Sequence, residues 1–275
     1  MNTQVASSKE EFVKKSINGK DENKLNYGLI GVKYYVYMVI IGIIGILIAV
    51  IGSQVFFPLN IILLFVGIPI AFICLYIGLS YIPFYYFMLK PGEEIDYWHG
   101  VFEKYIQGNE YVLDVGCGTG RIAIKVAKLL DTGNVVGIDL FKGSSGYSPD
   151  PAYRNAKIEG VSEKTEFKHG NLLKLEFLDN TFDTITSSSV LHDVHGDKNK
   201  EEAMKEIFRV LKPGGKFIAF EMYRDVRMHL AFLLFSFVFK PKHYWIELLN
   251  KFDFKNIKVE DYSQYLNYGL YIAEK

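Results

Sequence analysis

The sequence predicts an α/β fold: a largely parallel sheet with helices on both faces, preceded by two helices that span a membrane. Three observations carry this reading. From about Pro91 onward, apolar runs of strand length alternate with helical patterns, the order that builds parallel sheets. The stretch VLDVGCGTG, Val112–Gly120, places a glycine-rich turn directly after the first of those runs. Between Tyr34 and Leu89 there is no Asp, Glu, Lys, Arg or His, in a chain that is 23% charged.

The uncharged region sets the domain organisation. Residues 1–33 read as a polar tail of mixed charge. Residues 34–89 read as a hairpin with spans over 34–52 and 59–82, joined by a tight connection at Ser53–Pro58. Each span is long enough for a hydrocarbon core of about 30 Å. Pro69 is a candidate kink in the second. Gly45 and Ala49, and Gly67 and Ala71, lie four apart, a spacing that lets two helices approach closely in lipid. A buried hairpin in a soluble protein is the alternative, but adjacent uncharged spans of this length are hard to place in a soluble core. A cleaved signal peptide fits worse, because the run starts late and a second one follows. Lys9, Lys14, Lys15, Lys20, Lys24 and Lys33 precede the hairpin and Lys90 follows it. The positive-inside rule therefore puts both ends, and the domain over residues 90–275, in the cytoplasm.

Within that domain the elements follow in order. Glu94–Gln107 is expected to be a helix, Tyr111–Val115 a buried strand and Gly120–Leu130 a helix. Asn134–Asp139 reads as a strand, Pro151–Gly160 as a helix with Pro in its first turn, and Thr165–His169 and Phe182–Ser188 as strands. Asn199–Leu211 reads as a helix ended by Pro213-Gly214-Gly215, and Lys216–Glu221 as a strand. Lys242–Phe252 is a helix. Lys255–Tyr262 and Gly269–Ala273 are strands without a helix between them, which suggests an antiparallel edge. The balance of 31 basic and 31 acidic residues gives no electrostatic footprint for nucleic acid. With only two cysteines, Cys74 and Cys117, a disulfide framework is not expected.

The glycine turn points to a nucleotide-like ligand at the carboxyl ends of the strands. Gly116, Gly118 and Gly120 allow positive φ or close backbone approach. Asp139, at the end of the second strand, can accept both hydroxyls of a ribose. A dinucleotide would want G-x-G-x-x-G, but its third glycine falls on Arg121. Asp114 stands directly ahead of the turn, where a carboxylate would repel a pyrophosphate by about 1 kcal/mol or more. S-adenosylmethionine carries an ammonium and a sulfonium and no phosphate, so an acidic residue there suits it.

These residues resemble the class I S-adenosylmethionine-dependent methyltransferases, in particular the branch (methyltransferase type 11) with the quinone-biosynthesis C-methyltransferases. VLDVGCGTG resembles that family's glycine motif and VVGIDL its ribose-binding strand end. HGNLLKLEFLDNTFDTITSSSVLHDV resembles its adenine loop and fourth strand, and EIFRVLKPGGKFIAFEM its following helix, turn and strand. The resemblance runs from roughly Trp98 to the end. It implies a Rossmann-like sheet of seven strands, the last antiparallel. It implies that Asp114 faces the methionyl ammonium, directly or through water, and that the turn with Cys117 approaches the methionyl and ribose parts. It places Asp139 and Leu140 at the ribose end, and Asn171, Leu172 and Ser188 along the rest of the cofactor. The family usually has Asp where this chain has Asn171, whose amide oxygen can also accept from the adenine amino group. The segment LFKGSSGYSPDP after Asp139 is longer than the family's short link and reads as a loop.

Methyl transfer needs the nucleophile held in line, and a base only if a proton must leave. His192, Asp193 and His195 follow the fourth strand, and Glu221 and Tyr223 end the fifth. His192 serves as a base or shapes its loop; Asp193 and His195 also fit a solvated turn. No third ligand accompanies them at metal-binding spacing. Cys117 reads as packing rather than as a nucleophile. The segment His229–Phe239 is apolar and too short to span, with Arg224, Arg227, Lys240, Lys242 and His243 around it. It can lie among lipid headgroups with the basic residues snorkelling, or form a buried helix or substrate lid. Together these features predict a membrane-anchored methyltransferase for a lipophilic small-molecule acceptor. A silent cofactor-binding scaffold and a nicotinamide-dependent oxidoreductase are the competing readings.

Overall fold

A computed structural model describes residues 32–52, 61, 63–88, 101–142, 148–262 and 267–275. The chain divides into two units. One comprises residues 92–225 and 237–275 with the N-terminal 28 residues, and the other residues 29–91 and 226–236.

In the hairpin unit, Val32–Gly52 is helix α1, a π-helical stretch covers Leu63–Gly67, and Ile68–Met88 is α2. Pro69 stands just inside α2, directly after the π stretch. Its missing N–H breaks the regular ladder there. The two helices pack through glycine: a Cβ on Gly42 would lie 2.6 Å from Leu75 Cγ, and one on Gly45 2.9 Å from Ala71 Cβ. Gly45 and Ala71 thus meet as their spacing predicts, whereas Gly67 has no neighbour within 4 Å. The expected connection at Ser53–Pro58 lies outside the described residues. Large apolar side chains face outward on both helices, among them Leu47 and Phe72, the latter 60% exposed. Among the described residues, no helix is long and apolar enough to cross a membrane. This stops short of the expected membrane hairpin over 34–52 and 59–82.

In the other unit, Tyr111–Val115 forms β1 and Arg121–Leu129 forms α3. Asn134–Asp139 is β2 and Asp150–Ile158 is α4, with Pro at its first turn. Thr165–His169 is β3 and Phe182–Ser188 is β4. Asp197–Val210 is α5, and Leu211–Met222 is β5. Val226–Phe232, α6, belongs to the hairpin unit. Lys242–Lys251 is α7, and Lys255–Tyr262 and Tyr268–Glu274 are β6 and β7. Half of the expected leading helix Glu94–Gln107 lies outside the described residues; residues 101–103 are helical, whereas 104–107 form a turn and irregular chain, so the helix ends four residues earlier than expected.

The sheet order is β3-β2-β1-β4-β5-β7-β6. β1 to β5 run parallel, and β7 runs antiparallel to both β5 and β6. Seven strands with an antiparallel last strand match the expectation. β5 starts five residues earlier than expected, because Leu211 already pairs with Phe182. The Pro-Gly-Gly turn is absorbed there as an irregularity, with Gly214 at φ 75°. One face buries Leu113, Ile185 and Phe217 under Ile207 of α5 and Trp245 of α7. The opposite face carries α3, whose Ile122, Ala123 and Val126 are buried.

Phe182 shows how this core is held. It is fully buried, with Tyr111 at 4.7 Å and Phe177 at 4.8 Å between ring centroids. Phe182→Ala is expected to cost about 3–5 kcal/mol in urea denaturation.

Candidate functional site

β1 is followed on one side by β2 and on the other by β4, so strand order reverses at its carboxyl end. That is where open α/β sheets bind ligands. The glycine turn lies there. Gly116 and Cys117 both donate to Ile138 O, at 2.8 and 3.0 Å, and Gly120 donates to Cys117 O at 2.8 Å. Gly116, Gly118 and Gly120 have φ of 71°, 52° and 85°. At Gly116 the requirement is also steric, since a Cβ would stand 2.1 Å from Val190 Cγ2. Nothing lies within 4 Å of the same position on Gly118, which leaves room for a ligand.

Asp139 faces this turn. Its Oδ2 accepts from Gly118 N at 3.0 Å and its Oδ1 from Phe141 N at 2.7 Å. These bonds aim a half-buried carboxylate at the mouth of the turn. Leu140 beside it is exposed.

Asp114 sits within β1, next to the turn. It is 1% exposed, and its oxygens accept from Thr186 Oγ1 at 2.8 Å and Ala123 N at 3.1 Å. It ties β1 to β4 and to the first turn of α3. A direct contact with a ligand's ammonium is closed off in this conformation. Burial pushes its pKa up to about 7, and the charge of Asp139 adds to this, although both hydrogen bonds pull the other way. Cys117 is buried against Gly137, and burial with the nearby Asp114 and Asp139 charges raises its thiol pKa. It is packing, not a nucleophile.

Asn171 is exposed, and its Oδ1 accepts from Leu173 N at 3.0 Å. Part of the acceptor capacity expected for an adenine amino group is therefore used in a local turn. Leu172 packs into the core, and Ser188 ends β4 half-buried. Of the loop 140–151, residues 143–147 lie outside the described set.

The second half of the site is the loop after β4. His192 Nδ1 lies 2.9 Å from Glu221 Oε2. Glu221 is fully buried, and its other oxygen accepts from Val190 N and Leu191 N, both at 2.7 Å. A carboxylate partner means that Nδ1 carries the proton, which leaves Nε2 as the basic nitrogen of the neutral ring. Nε2 lies 3.5 Å from Asp193 Oδ1. Burial lowers the His192 pKa, but the bond and charge of Glu221, helped by Asp193, outweigh it and raise the imidazole above its ordinary value.

The structure thus brings His192 and Glu221 together. Glu221 is fully buried, with one oxygen facing His192 Nδ1. Tyr223 turns away, its hydroxyl donating to Asp261 at 3.1 Å. Asp193 is exposed, and His195 Nδ1 meets Asp193 O at 2.8 Å in a surface turn. Among the described residues no cluster could hold a metal ion. Two participants escape a reading by motif. Thr186 is the partner of Asp114. Lys200 lies on the same helix face as Ala203, Met204 and Ile207, and a lysine on an apolar face was the available signal.

The pKa of Asp114 gives a stability prediction. Its folded value of about 7 lies above the roughly 3.9 of an unfolded chain. The folded state therefore holds an extra proton between these values, and stability falls as pH rises from about 4 to 7. Asp114→Asn is expected to lose less stability than the parent between pH 5 and pH 8, read as the melting temperature of each at both pH values.

Comparison with known proteins places the fold. Residues 113–219 match the family described as Methyltransferase domain. A sterol 24-C-methyltransferase of Aspergillus fumigatus is 42% identical over 110 residues, 40% of this chain and 27% of the relative. A demethylmenaquinone methyltransferase of Symbiobacterium thermophilum is 29% identical over 143 residues, 51% of this chain and 54% of the relative. The chain thus spans between about a quarter and about half of these relatives. Among solved structures, a SAM-dependent methyltransferase from Aquifex aeolicus superposes with a TM-score of 0.53 at 18% identity, over 65% of this chain and 89% of that one. The [4+2]-cyclase SpnF superposes at 0.52 and 22% identity, over 66% of this chain and 80% of that one. The sheet unit is thus similar to methyltransferase domains over residues 113–219 and has the fold of S-adenosylmethionine-dependent methyltransferases.

Proposed function

We propose that the chain transfers a methyl group from S-adenosylmethionine to a lipophilic small-molecule acceptor at a membrane. One observation carries the cofactor. The N–H groups of Gly116, Cys117, Gly118 and Gly120 are all committed within the protein. A pyrophosphate would need such donors, and here a carboxylate has taken one of them. A phosphate-free ligand with ribose hydroxyls fits instead, with Asp139 accepting from them and Gly118 leaving room. This argues against a nicotinamide-dependent oxidoreductase more directly than the charge of Asp114 does.

When bound, the cofactor supplies a methyl activated on a sulfonium. The protein's part is positioning and proton removal. His192, oriented by Glu221, would accept the acceptor's proton at Nε2, the acceptor's electron pair taking the methyl as the carbon–sulfur bond leaves its pair on sulfur. The SpnF likeness shows that this fold also hosts other chemistry, so turnover has to be measured.

The acceptor class draws support from relatives named for sterols and menaquinone precursors. It also draws support from the hairpin, whose outward side chains include Phe65, Phe72 and Leu47. Exposed apolar surface of this extent fits insertion into lipid, and the lysines at both flanks fit a cytoplasmic sheet unit.

Full-length protein incubated with methyl-labelled S-adenosylmethionine and a lipid extract is expected to give a labelled product, identified by mass spectrometry. His192→Gln should lower turnover about 100-fold or more, with cofactor affinity by calorimetry unchanged. In the parent, turnover should rise with pH through the raised His192 pKa. Absence of any labelled product would sink the reading. For the anchor, the full chain is expected to stay with membranes through alkaline carbonate extraction. Release into the supernatant would refute insertion.

A further inference from the structure

Lys200 lies in the first turns of α5 and is 5% exposed. A buried ammonium is costly unless its protons are taken. Those of Lys200 go to carbonyls of a single loop: Leu191 at 3.0 Å, His192 at 3.2 Å, and Val194. The same loop sends the N–H groups of Val190 and Leu191 to Glu221. A buried anion from β5 and a buried cation from α5 therefore grip the loop through complementary groups.

We propose that Lys200 is a positioning residue of the site, holding His192 from the carbonyl side while Glu221 holds it from the N–H side. The inference rests on the reading of His192 as proton acceptor. The charges facing His192 are Glu221 from β5, Asp193 from its own loop and Lys200 from α5. Lys200 in turn faces Lys240, Glu221, Asp197 and Asp193. The ring of Phe239, 5.1 Å from that of His192, adds no charge. Lys200 disfavours a proton on the imidazole, whereas Glu221 and Asp193 favour one.

That opposition gives a test with a sign. Lys200→Met removes a like charge, so His192 should keep its proton to higher pH. Lys200→Arg retains the charge, so the titration should stay in place. The readout is an NMR titration of the histidine ring signals in the full chain, with His192 assigned by its loss in His192→Gln. A rise of about half a pH unit or more is expected for Lys200→Met and none for Lys200→Arg, with the acid limb of turnover moving in step. An unchanged midpoint in Lys200→Met, or an equal shift in both variants, overturns the proposal. If Lys200→Met does not fold, Lys200→Gln, which keeps donors without charge, replaces it. The midpoint is read without turnover, so a chain lacking methyl transfer would sink the functional reading while leaving this assignment decidable.

Discussion

A missing Cβ at Gly116 allows the site to assemble. The Val190 side chain occupies the space that Cβ would take. Val190 is also the residue whose N–H donates to Glu221. The turn after β1, the loop after β4 and the end of β5 are therefore one packed arrangement. Any larger residue at 116 would push Val190 away, and with it the loop that carries His192. Positive φ adds strain to the same position. The glycine turn and the loop of His192 meet through one apolar contact, not through a chain of charges.

The two aspartates that flank the turn divide its work. Asp114 is buried and joins three elements through its two oxygens. Asp139 stands at the mouth, oriented by two backbone donors. A carboxylate with spare lone pairs, fixed by its own backbone bonds, loses little freedom on accepting ribose hydroxyls. The N–H groups of the turn are already used within the protein. Charge alone would be a weaker filter, because burial leaves Asp114 near its midpoint at neutral pH.

Strands such as Tyr111–Val115 and Asn134–Asp139 were legible in the sequence because each is a short, mostly apolar run closed by Gly or a charged residue. The turn was legible because only glycine tolerates its geometry. Side-chain direction was not. Nothing in VLDVGCGTG says that Asp114 points under the sheet toward Thr186, a partner 72 residues away. Glu221 lies near the end of an apolar strand, and nothing in its local pattern says that it is completely buried against His192. Tyr223 is close to Glu221 in sequence yet bonds to Asp261 of β6, an antiparallel neighbour of β7 that local pattern does not reveal. Lys200 hid within a helix read only for its period.

The connection after β5 ties the proposed anchor to the proposed chemistry. The chain leaves the sheet unit after Asp225, runs through residues 226–236 of the hairpin unit, and returns at Phe237. Within that excursion Met228 is buried, and Ser236 is buried with its hydroxyl 2.5 Å from His229 Nδ1. The apolar segment after β5 therefore belongs to the hairpin by packing, although the sequence separates them. Three residues before the departure stands Met222, next to Glu221. Two residues after the return stands Phe239, whose ring lies against His192. The backbone on either side of the excursion thus runs directly into Glu221 and into the ring packed on His192.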